Sequence, residues 1–345
     1  MGECVLVVGG CGFIGSFTTA DLYAAGHRVV VLDDLSAATP NTLPPGVRLI
    51  RMNLSNREAL VKVLSAECVQ TVVYAAGVHS VGESFQQPEL YYERNTGDVE
   101  RLLDACAQIG IQRMVFASSS LVYSPGKTKQ CSRLGLCESE TGVPSSPYGD
   151  SKLQAEILIK KAAQSNGLNY AILRYFNVAG AHPRGHLGRG ELSTAHVVKV
   201  LCQVALGKRA RFEIFGGKFA TPDGTAIRDY VHVLDVARAN RLAVEALQCN
   251  HKMFSTLNIG SGTGLSTLQI VNLAERVFQK EIPISLAEAV HATEPCLIAN
   301  IIHAYELIRW KPQFSTEDIL AHAWRWENFL SGQNSHRETL LEPGL

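Results

Sequence analysis

A tyrosine and a lysine on one helical face could carry out acid–base chemistry. Tyr148 and Lys152 are four residues apart, and residues at that spacing share a face of a helix. The Ser-Ser-Pro stretch at 145–147 predicts a helix start, because serine caps helices and proline is favoured at the first helical position. Ser119, at the end of an apolar stretch, would add a hydroxyl that can pass a proton or hold a substrate oxygen.

Three spaced glycines predict a phosphate-binding loop between an apolar stretch and a helix: Gly9, Gly12 and Gly15. Such glycines let the backbone approach a pyrophosphate, which the helix N-terminus then binds. Asp33 ends the next apolar stretch, 18 residues after Gly15, where its carboxylate could accept both hydroxyls of a ribose. The sequence favours NAD over NADP, because Asp33 and Asp34 would repel a 2′-phosphate and no arginine follows to receive it.

A phenol must become more acidic before it can act as a base near neutral pH. Tyrosine titrates at about pH 10, so work at about pH 7 requires about 4 kcal/mol of phenolate stabilisation, at about 1.36 kcal/mol per pH unit. A Lys152 cation at about 6 Å would contribute about 3 kcal/mol at an effective dielectric constant of about 20. Lys152 alone should therefore nearly suffice, and an oxidised, cationic nicotinamide ring would supply the rest. We expect Tyr148 to be a stronger base beside NAD+ than beside NADH.

Apolar and amphipathic stretches alternate along the first half of the chain. Apolar stretches end near Val8, Asp33, Ala75 and Ala117, and helical patterns follow them. One long helix is predicted over 91–109, with a stripe that includes Val99, Leu102 and Cys106. This alternation predicts an α/β fold, a Rossmann-like doubly wound parallel sheet with a smaller C-terminal substrate lobe.

The alternation of apolar and amphipathic stretches ends after about residue 175. The glycine-rich stretch 178–195 that follows predicts a loop over a site. We predict an NAD-binding Rossmann domain (1–177 plus 231–256), a substrate lobe (178–230 plus 257–330) and a polar tail (331–345).

Composition excludes several kinds of partner. Lys+Arg and Asp+Glu are both 32 among 345 residues, so no basic excess is available for nucleic acid. The uncharged stretch 4–20 contains four glycines and is too short and broken for a membrane span. Nine cysteines form no CxxC pair, which predicts reduced thiols, no metal site and, with no targeting signal, a cytoplasmic protein.

On these residues the chain resembles the extended short-chain dehydrogenase/reductases and, within them, the UDP-glucose 4-epimerase family. The resemblance is collinear over about residues 4–330. Besides the glycine loop and the Tyr148/Lys152 pair, it includes the serines at 118–120 and two blocks typical of sugar-nucleotide epimerases, at 174–177 and 228–232.

The resemblance implies an NAD-dependent isomerase that acts at C4 of a UDP-hexose, UDP-glucose or UDP-galactose, through a transient 4-keto sugar. Tyr148 would take the hydroxyl proton, with Ser119 and Lys152 as its catalytic partners. The implied substrate-binding residues are Ser119, Tyr148, Asn177, His196, Phe215 and Arg228. The predicted cofactor-binding residues are Gly9, Gly12, Phe13, Ile14, Gly15, Asp33, Asn53, Leu54, Ala75, Ala76, Gly77, Asn95, Tyr148, Lys152 and Tyr175.

The family also implies a homodimer. Apolar stripes on 92–109 and 150–163, the second with Leu153 and Ile157, could pair with a second subunit or pack on their own sheet.

Some positions depart from the family pattern. His196 replaces a usual asparagine, and His79 a usual lysine. The segment 290–293 lacks the arginine that helps hold the diphosphate, a charge-assisted contact worth about 1.5–3 kcal/mol. Either another cation substitutes or the substrate differs; the candidate cations are Arg189, Arg211 and His291.

Two other hypotheses stay open. One is another NAD-dependent sugar-nucleotide enzyme, such as a UDP-glucuronate epimerase or decarboxylase, which would need an added cation in the pocket. The other is a catalytically reduced homologue that binds NAD(H) as a sensor or scaffold. The intact set of Ser119, Tyr148 and Lys152 argues against the second hypothesis, and the altered segment 290–300 argues for it.

Overall fold

Seven parallel strands form the central sheet of the computed structural model, which describes residues 3–38, 42–123, 135–140, 142–190, 196–249, 253–288 and 294–339. The described residues form further strands in smaller sheets, and all strands are numbered in chain order: β1 (Cys4–Val8), β2 (Arg28–Asp33), β3 (Arg48–Arg51), β4 (Val69–Tyr74), β5 (Arg113–Ser119), β6 (Asn169–Tyr175), β7 (Asn177–Ala179), β8 (Phe212–Phe215), β9 (Ile227–His232), β10 (Phe254–Ile259), β11 (Gly264–Ser266), β12 (Ile284–Ala287) and β13 (Cys296–Leu297). The helices are α1 (Phe13–Ala24), α2 (Arg57–Ala66), α3 (Val81–Gln86), α4 (Pro88–Tyr92), α5 (Asp98–Ile109), α6 (Pro147–Asn166), α7 (Val197–Ala205), α8 (Val233–Cys249), α9 (Thr267–Phe278), α10 (Ile302–Ile308) and α11 (Thr316–Thr339).

The strand order is β3-β2-β1-β4-β5-β6-β10. Side chains alternate across each strand, so Val5 and Val7 of β1 enter one core and Leu6 and Val8 the other. Helices α1, α8 and α10 cover the first face, and α2, α5 and α6 cover the second. The predicted doubly wound parallel fold is confirmed. Its carboxyl edge, where the strands end, is where such sheets bind ligands.

A second core lies beside that sheet. Helices α7, α9 and α11 pack with β8 and β9 around Leu201, Ile270 and Leu320. Strands β7, β9, β11 and β13 form a small sheet, and β8 pairs with β12. The predicted domain boundaries after residues 177, 230 and 256 fall inside β7, β9 and β10, because these strands run on through the positions where the sequence pattern changes.

Two predicted elements differ from those observed. The helix predicted over 91–109 is interrupted by a π-helical turn at Glu93–Gly97. Such a turn contains one extra residue, and the apolar stripe continues past it. The predicted tail does not begin at 331, because α11 continues to Thr339.

The expectation of reduced thiols is wrong at one position. Seven described cysteines are free, but Cys296 is in a disulfide, a pairing that CxxC spacing does not reveal.

Candidate active site

The glycine loop is shaped by close backbone packing. Gly9 has φ +77°, and a Cβ there would lie 2.6 Å from the backbone nitrogen of Ala76. A Cβ on Gly15 would collide with the carbonyl oxygen of Gly9. Gly12 caps α1 without a side chain, so the N–H groups of the first turn, at Phe13 and Ile14, border an open backbone surface that suits a phosphate.

Asp33 fastens this loop to the end of β2. Its buried carboxylate accepts hydrogen bonds from the backbone nitrogens of Cys11 and Leu35, both at 2.9 Å. A carboxylate has about four acceptor sites, so it can also accept ribose hydroxyls. No arginine follows Asp33 and Asp34 in the sequence, but Arg94 of the π-helical turn is paired with Asp34 at 3.3 Å.

Asn95 shapes the loop after β4. It is fully buried in the π-helical turn, and its amide bonds both backbone groups of Val78 and the Ser151 hydroxyl, each at 3.0 Å. A Cβ on Gly77 would collide with the Asn95 side chain and lie 3.4 Å from Lys152 Nζ. The amide therefore acts by holding a bare backbone surface in place.

The predicted catalytic residues meet at the carboxyl edge of the sheet. Ser119 ends β5, and its hydroxyl is hydrogen-bonded to Tyr148 in the first turn of α6. Ser146 starts that helix, as predicted, by accepting a hydrogen bond from the Gly149 nitrogen at 3.1 Å. One turn later, Lys152 Nζ donates to the carbonyl of Ala117 at 3.0 Å. All three catalytic side chains are at least nine-tenths buried.

Burial pushes both ionisable groups towards their neutral forms. It raises the pKa of Tyr148, and the Ser119 hydrogen bond opposes that effect. Burial lowers the pKa of Lys152 to about 8, with the nearby Glu156 carboxylate acting in the opposite direction. The pKa of Tyr148 is therefore raised even with Lys152 one turn away, and a positive charge brought by a ligand would lower it.

Glu156 was missed by the sequence analysis. It is fully buried one turn after Lys152 and pairs with Arg174 at 2.7 Å and 2.9 Å, and it accepts a hydrogen bond from Ser118 at 2.6 Å. This network ties α6 to β5 and β6 directly beneath the catalytic residues. The available signal was the spacing of four residues from Lys152, which puts a carboxylate on the same helical face.

Four predicted cofactor contacts serve mainly local structure. Leu54 is buried in the core, so only its backbone could face a ligand. Asn53 is exposed and bonds the backbone and hydroxyl of Ser55. Tyr175 donates to Asn240 at 2.7 Å. Ala75 continues the sheet by donating to the carbonyl of Val8.

Asn177 and Arg228 lie on neighbouring strands of the small sheet. Asn177 is in register with Tyr230, two residues beyond Arg228, so both side chains leave the same face. Burial lowers the pKa of Arg228, but an arginine remains charged. Asp229 points the other way and clamps the loop at 261–262 through hydrogen bonds of 2.6–3.0 Å.

The other predicted substrate residues lie in different settings. Phe215 is on the two-stranded β8–β12 sheet and is 53% exposed. His196 is the N-cap residue of α7. Of the candidate substitute cations, Arg189 lies near His196 and His79, Arg211 is exposed, and His291 is outside the described residues.

Within the described ranges, no group of three His, Cys, Asp or Glu side chains is arranged to hold a metal ion. In that same part of the chain, no helix has the length and apolar character needed to cross a membrane.

A family model described as the NAD dependent epimerase/dehydratase family matches residues 5–260. A curated relative, the UDP-glucose 4-epimerase of Lacticaseibacillus casei, is 39% identical over 330 residues, which cover 95% of this chain and 98% of that protein.

Solved structures agree over nearly the whole chain. A UDP-glucose 4-epimerase from Brucella ovis in complex with NAD has a TM-score of 0.87 at 34% identity, covering 93% of this chain and 97% of that one. A UDP-glucose-4-epimerase from Stenotrophomonas maltophila, with bound NAD and formylated UDP-arabinopyranose, has a TM-score of 0.90 at 29% identity, covering 96% and 99%.

Proposed function

The chain belongs to the NAD dependent epimerase/dehydratase family, and on that premise we propose that it interconverts UDP-glucose and UDP-galactose at C4. The observation that carries this proposal is the buried Ser119–Tyr148 hydrogen bond with Lys152 one turn away, beside the glycine loop. A protein that only sensed or stored a dinucleotide would not need a phenol and a cation desolvated together at that edge.

The residues present fit NAD. The glycine loop leaves bare backbone N–H groups at the start of α1, and Asp33 offers acceptor sites at the end of β2. We assign the pyrophosphate to the first turn of α1 and a ribose to Asp33. The bare backbone at Gly77, held by Asn95, would border the cofactor next to Lys152. When bound, NAD supplies a hydride acceptor and, in its oxidised form, a positive charge.

Tyr148 is the general base in this proposal. Its phenolate would take the proton of the 4-hydroxyl as that carbon loses hydride, and its phenol would return the proton once hydride comes back on the other face of the sugar. Ser119 would hold the reacting oxygen through its hydroxyl. Lys152 would stabilise the phenolate, and its Ala117 hydrogen bond keeps Nζ in place.

On the substrate side, Arg228 and Asn177 would bind the diphosphate of the UDP-sugar. Arginine matches the geometry of phosphate oxygens with two parallel donors, and the amide adds a neutral donor from the next strand. Phe215, exposed on β8, would lie beside the uracil.

Product analysis tests this function directly. The purified protein is incubated separately with UDP-galactose and with UDP-glucuronate, and the nucleotide sugars are separated by chromatography. We expect UDP-glucose from UDP-galactose and no epimer or pentose product from UDP-glucuronate. Turnover of UDP-glucuronate alone would favour the uronate enzyme, and bound NAD without turnover of either would favour a sensor.

We also propose a homodimer formed through α6. Its Ile157 side chain is 56% exposed, and burying an apolar side chain of this size is favourable. The stripe on α5 is not available for a partner, because Val99, Leu102 and Cys106 are packed in their own core. Sedimentation equilibrium should give twice the chain mass, and Ile157→Asp should lower it; a wild-type monomer at every concentration would reject the dimer.

A cytoplasmic location is part of the same proposal. The seven free cysteine thiols among the described residues support it, since reducing compartments keep thiols free, and the Cys296 disulfide is the observation against it.

A further inference from the structure

A half-buried arginine lies where the substrate lobe meets the glycine loop. The guanidinium carbon of Arg189 is 4.2 Å from the ring centroid of Phe13, the first residue of α1. Its Nη2 donates to the carbonyl of Val178, one residue after Asn177, at 3.1 Å. Burial lowers the pKa of Arg189 to about 10, so the side chain is a cation at neutral pH. Arg189 therefore places positive charge between the two predicted nucleotide sites.

The backbone that carries Arg189 is held firmly. Trp326 donates its indole N–H to the Arg189 carbonyl at 2.9 Å, and Lys199 donates to the Gly190 carbonyl at 2.6 Å. Lys199 is also paired with Glu327 at 3.4 Å, and both side chains are buried. Contacts from α7 and α11 thus fix this cation before any ligand binds, which lowers the entropic cost of binding.

Two neutral histidines face the same recess. Desolvation by the surrounding protein, together with Arg189 and Lys152, lowers the pKa of His79 to about 4, although part of the His79 side chain is exposed to solvent. Burial lowers the pKa of His196 well below its usual value, and Arg189 and His79 act in the same direction. Nε2 of His196 is buried and has no hydrogen-bond partner. A buried polar atom in that state costs stability unless a ligand satisfies it.

We propose that Arg189 and His196 together bind a diphosphate, with Arg189 as the main cation of the recess in place of the one missing near residue 290. The inference rests on the proposed function for the identity of the ligand. Two diphosphates have the required chemistry, the pyrophosphate of NAD and the diphosphate of the UDP-sugar. Phe13 connects Arg189 to the first, and Val178 and the start of α7 connect the pair to the second.

Arginine is suited to this role by its chemistry. Its planar guanidinium presents several donors to phosphate oxygens at once, and a recess that excludes water strengthens each charge-assisted bond. His196 Nε2 can donate to the same group when it carries the proton. Arg211, another sequence candidate, is exposed and would be screened by solvent.

Binding measurements on Arg189→Met, Arg189→Lys and His196→Leu test the inference in two arms. Calorimetry compares UDP with UMP, which lacks the second phosphate, and equilibrium dialysis measures NAD affinity. We expect Arg189→Met to weaken UDP or NAD by about 10- to 100-fold, the loss of one charge-assisted contact. The affinity for UMP should fall much less than the affinity for UDP if the sugar nucleotide is the ligand. Arg189→Lys should recover part of the affinity, and Arg211→Met is the matched control.

A loss of UDP affinity would assign the diphosphate to the UDP-sugar, and a loss of NAD affinity would assign it to the cofactor. UDP and NAD affinities of Arg189→Met within about twofold of wild type would overturn the inference. If that variant does not fold, unchanged affinities in both Arg189→Lys and His196→Leu would overturn it. These arms need no turnover. A wild type that binds both ligands without converting UDP-galactose contradicts the proposed function alone, and an Arg189→Met variant with unchanged binding contradicts this inference alone.

Discussion

The carboxyl edge of the central sheet and the recess around Arg189 treat buried polar groups in opposite ways. At the sheet edge, Lys152 is bonded to a backbone carbonyl, and Glu156 is paired with Arg174. In the recess, a buried nitrogen of His196 has no partner. Side chains that are already hydrogen-bonded are held in place by the fold, whereas an unpaired polar atom can gain a hydrogen bond from a ligand. The difference suggests that the hydrogen bonds of Lys152 and Glu156 at the sheet edge are complete before binding, whereas those of the recess are completed by a ligand.

The largest effect is expected at the base. Tyr148→Phe removes the phenol that exchanges a proton with substrate, and general acid–base catalysis contributes about 10²- to 10⁴-fold. We expect kcat to fall by that factor with little change in NAD affinity, measured by product formation and equilibrium dialysis. Tyr92→Phe is the matched control, because Tyr92 bonds Asp150 at 2.9 Å outside the catalytic set. Equal kcat values for Tyr148→Phe and wild type would remove the base assignment.

Breaking the buried pair under the site should cost stability. Glu156→Ala leaves the Arg174 guanidinium buried without its carboxylate, a change that costs about 3–5 kcal/mol. Denaturant unfolding measures the free energy of unfolding. The exposed Glu100→Ala should change it by less than about 0.5 kcal/mol. Similar values for both variants would show that the sheet edge does not depend on this pairing.

Asp33 should contribute more to NAD affinity than Asp34 does. Asp33→Ala removes the acceptor for the ribose and releases the Cys11 backbone, so we expect NAD affinity to fall by about 10- to 100-fold. Asp34→Ala, which removes one of the two ion-pair partners of Arg94 among the described residues, should have a smaller effect. A larger loss of NAD affinity in Asp34→Ala than in Asp33→Ala would contradict the assignment of the ribose to Asp33.

The smallest effect should have the opposite sign. His196→Leu replaces an unpaired buried polar group by an apolar one, which should be neutral or raise the free energy of unfolding by up to about 1 kcal/mol. The same variant should bind UDP more weakly if the recess holds that diphosphate. His303→Leu, on the exposed side of α10, is the control. A clear loss of stability in His196→Leu would show that its imidazole is already satisfied.

Local spacing predicted the sheet edge because each part of it is encoded within a few residues. The glycine loop requires strand, turn and helix in succession, and Tyr148 and Lys152 are one helical turn apart. The π-helical turn at Asn95 could not be predicted from the sequence, because an apolar stripe tolerates one extra residue. The recess joins Phe13, His79 and Arg189 from distant segments. Sequence could name Arg189 only as one of three candidate cations, whereas its contact with Phe13 depends on the tertiary fold.

The most direct test of the central claim is the ionisation of Tyr148 itself. Ultraviolet difference titration of wild type minus Tyr148→Phe isolates this phenol, and the titration is run with NAD+ bound and again with NADH bound. Burial raises the pKa of Tyr148, and the cationic ring should lower it again. We predict that Tyr148 ionises at a clearly lower pH with NAD+ than with NADH. The same ionisation pH in both forms would contradict the account.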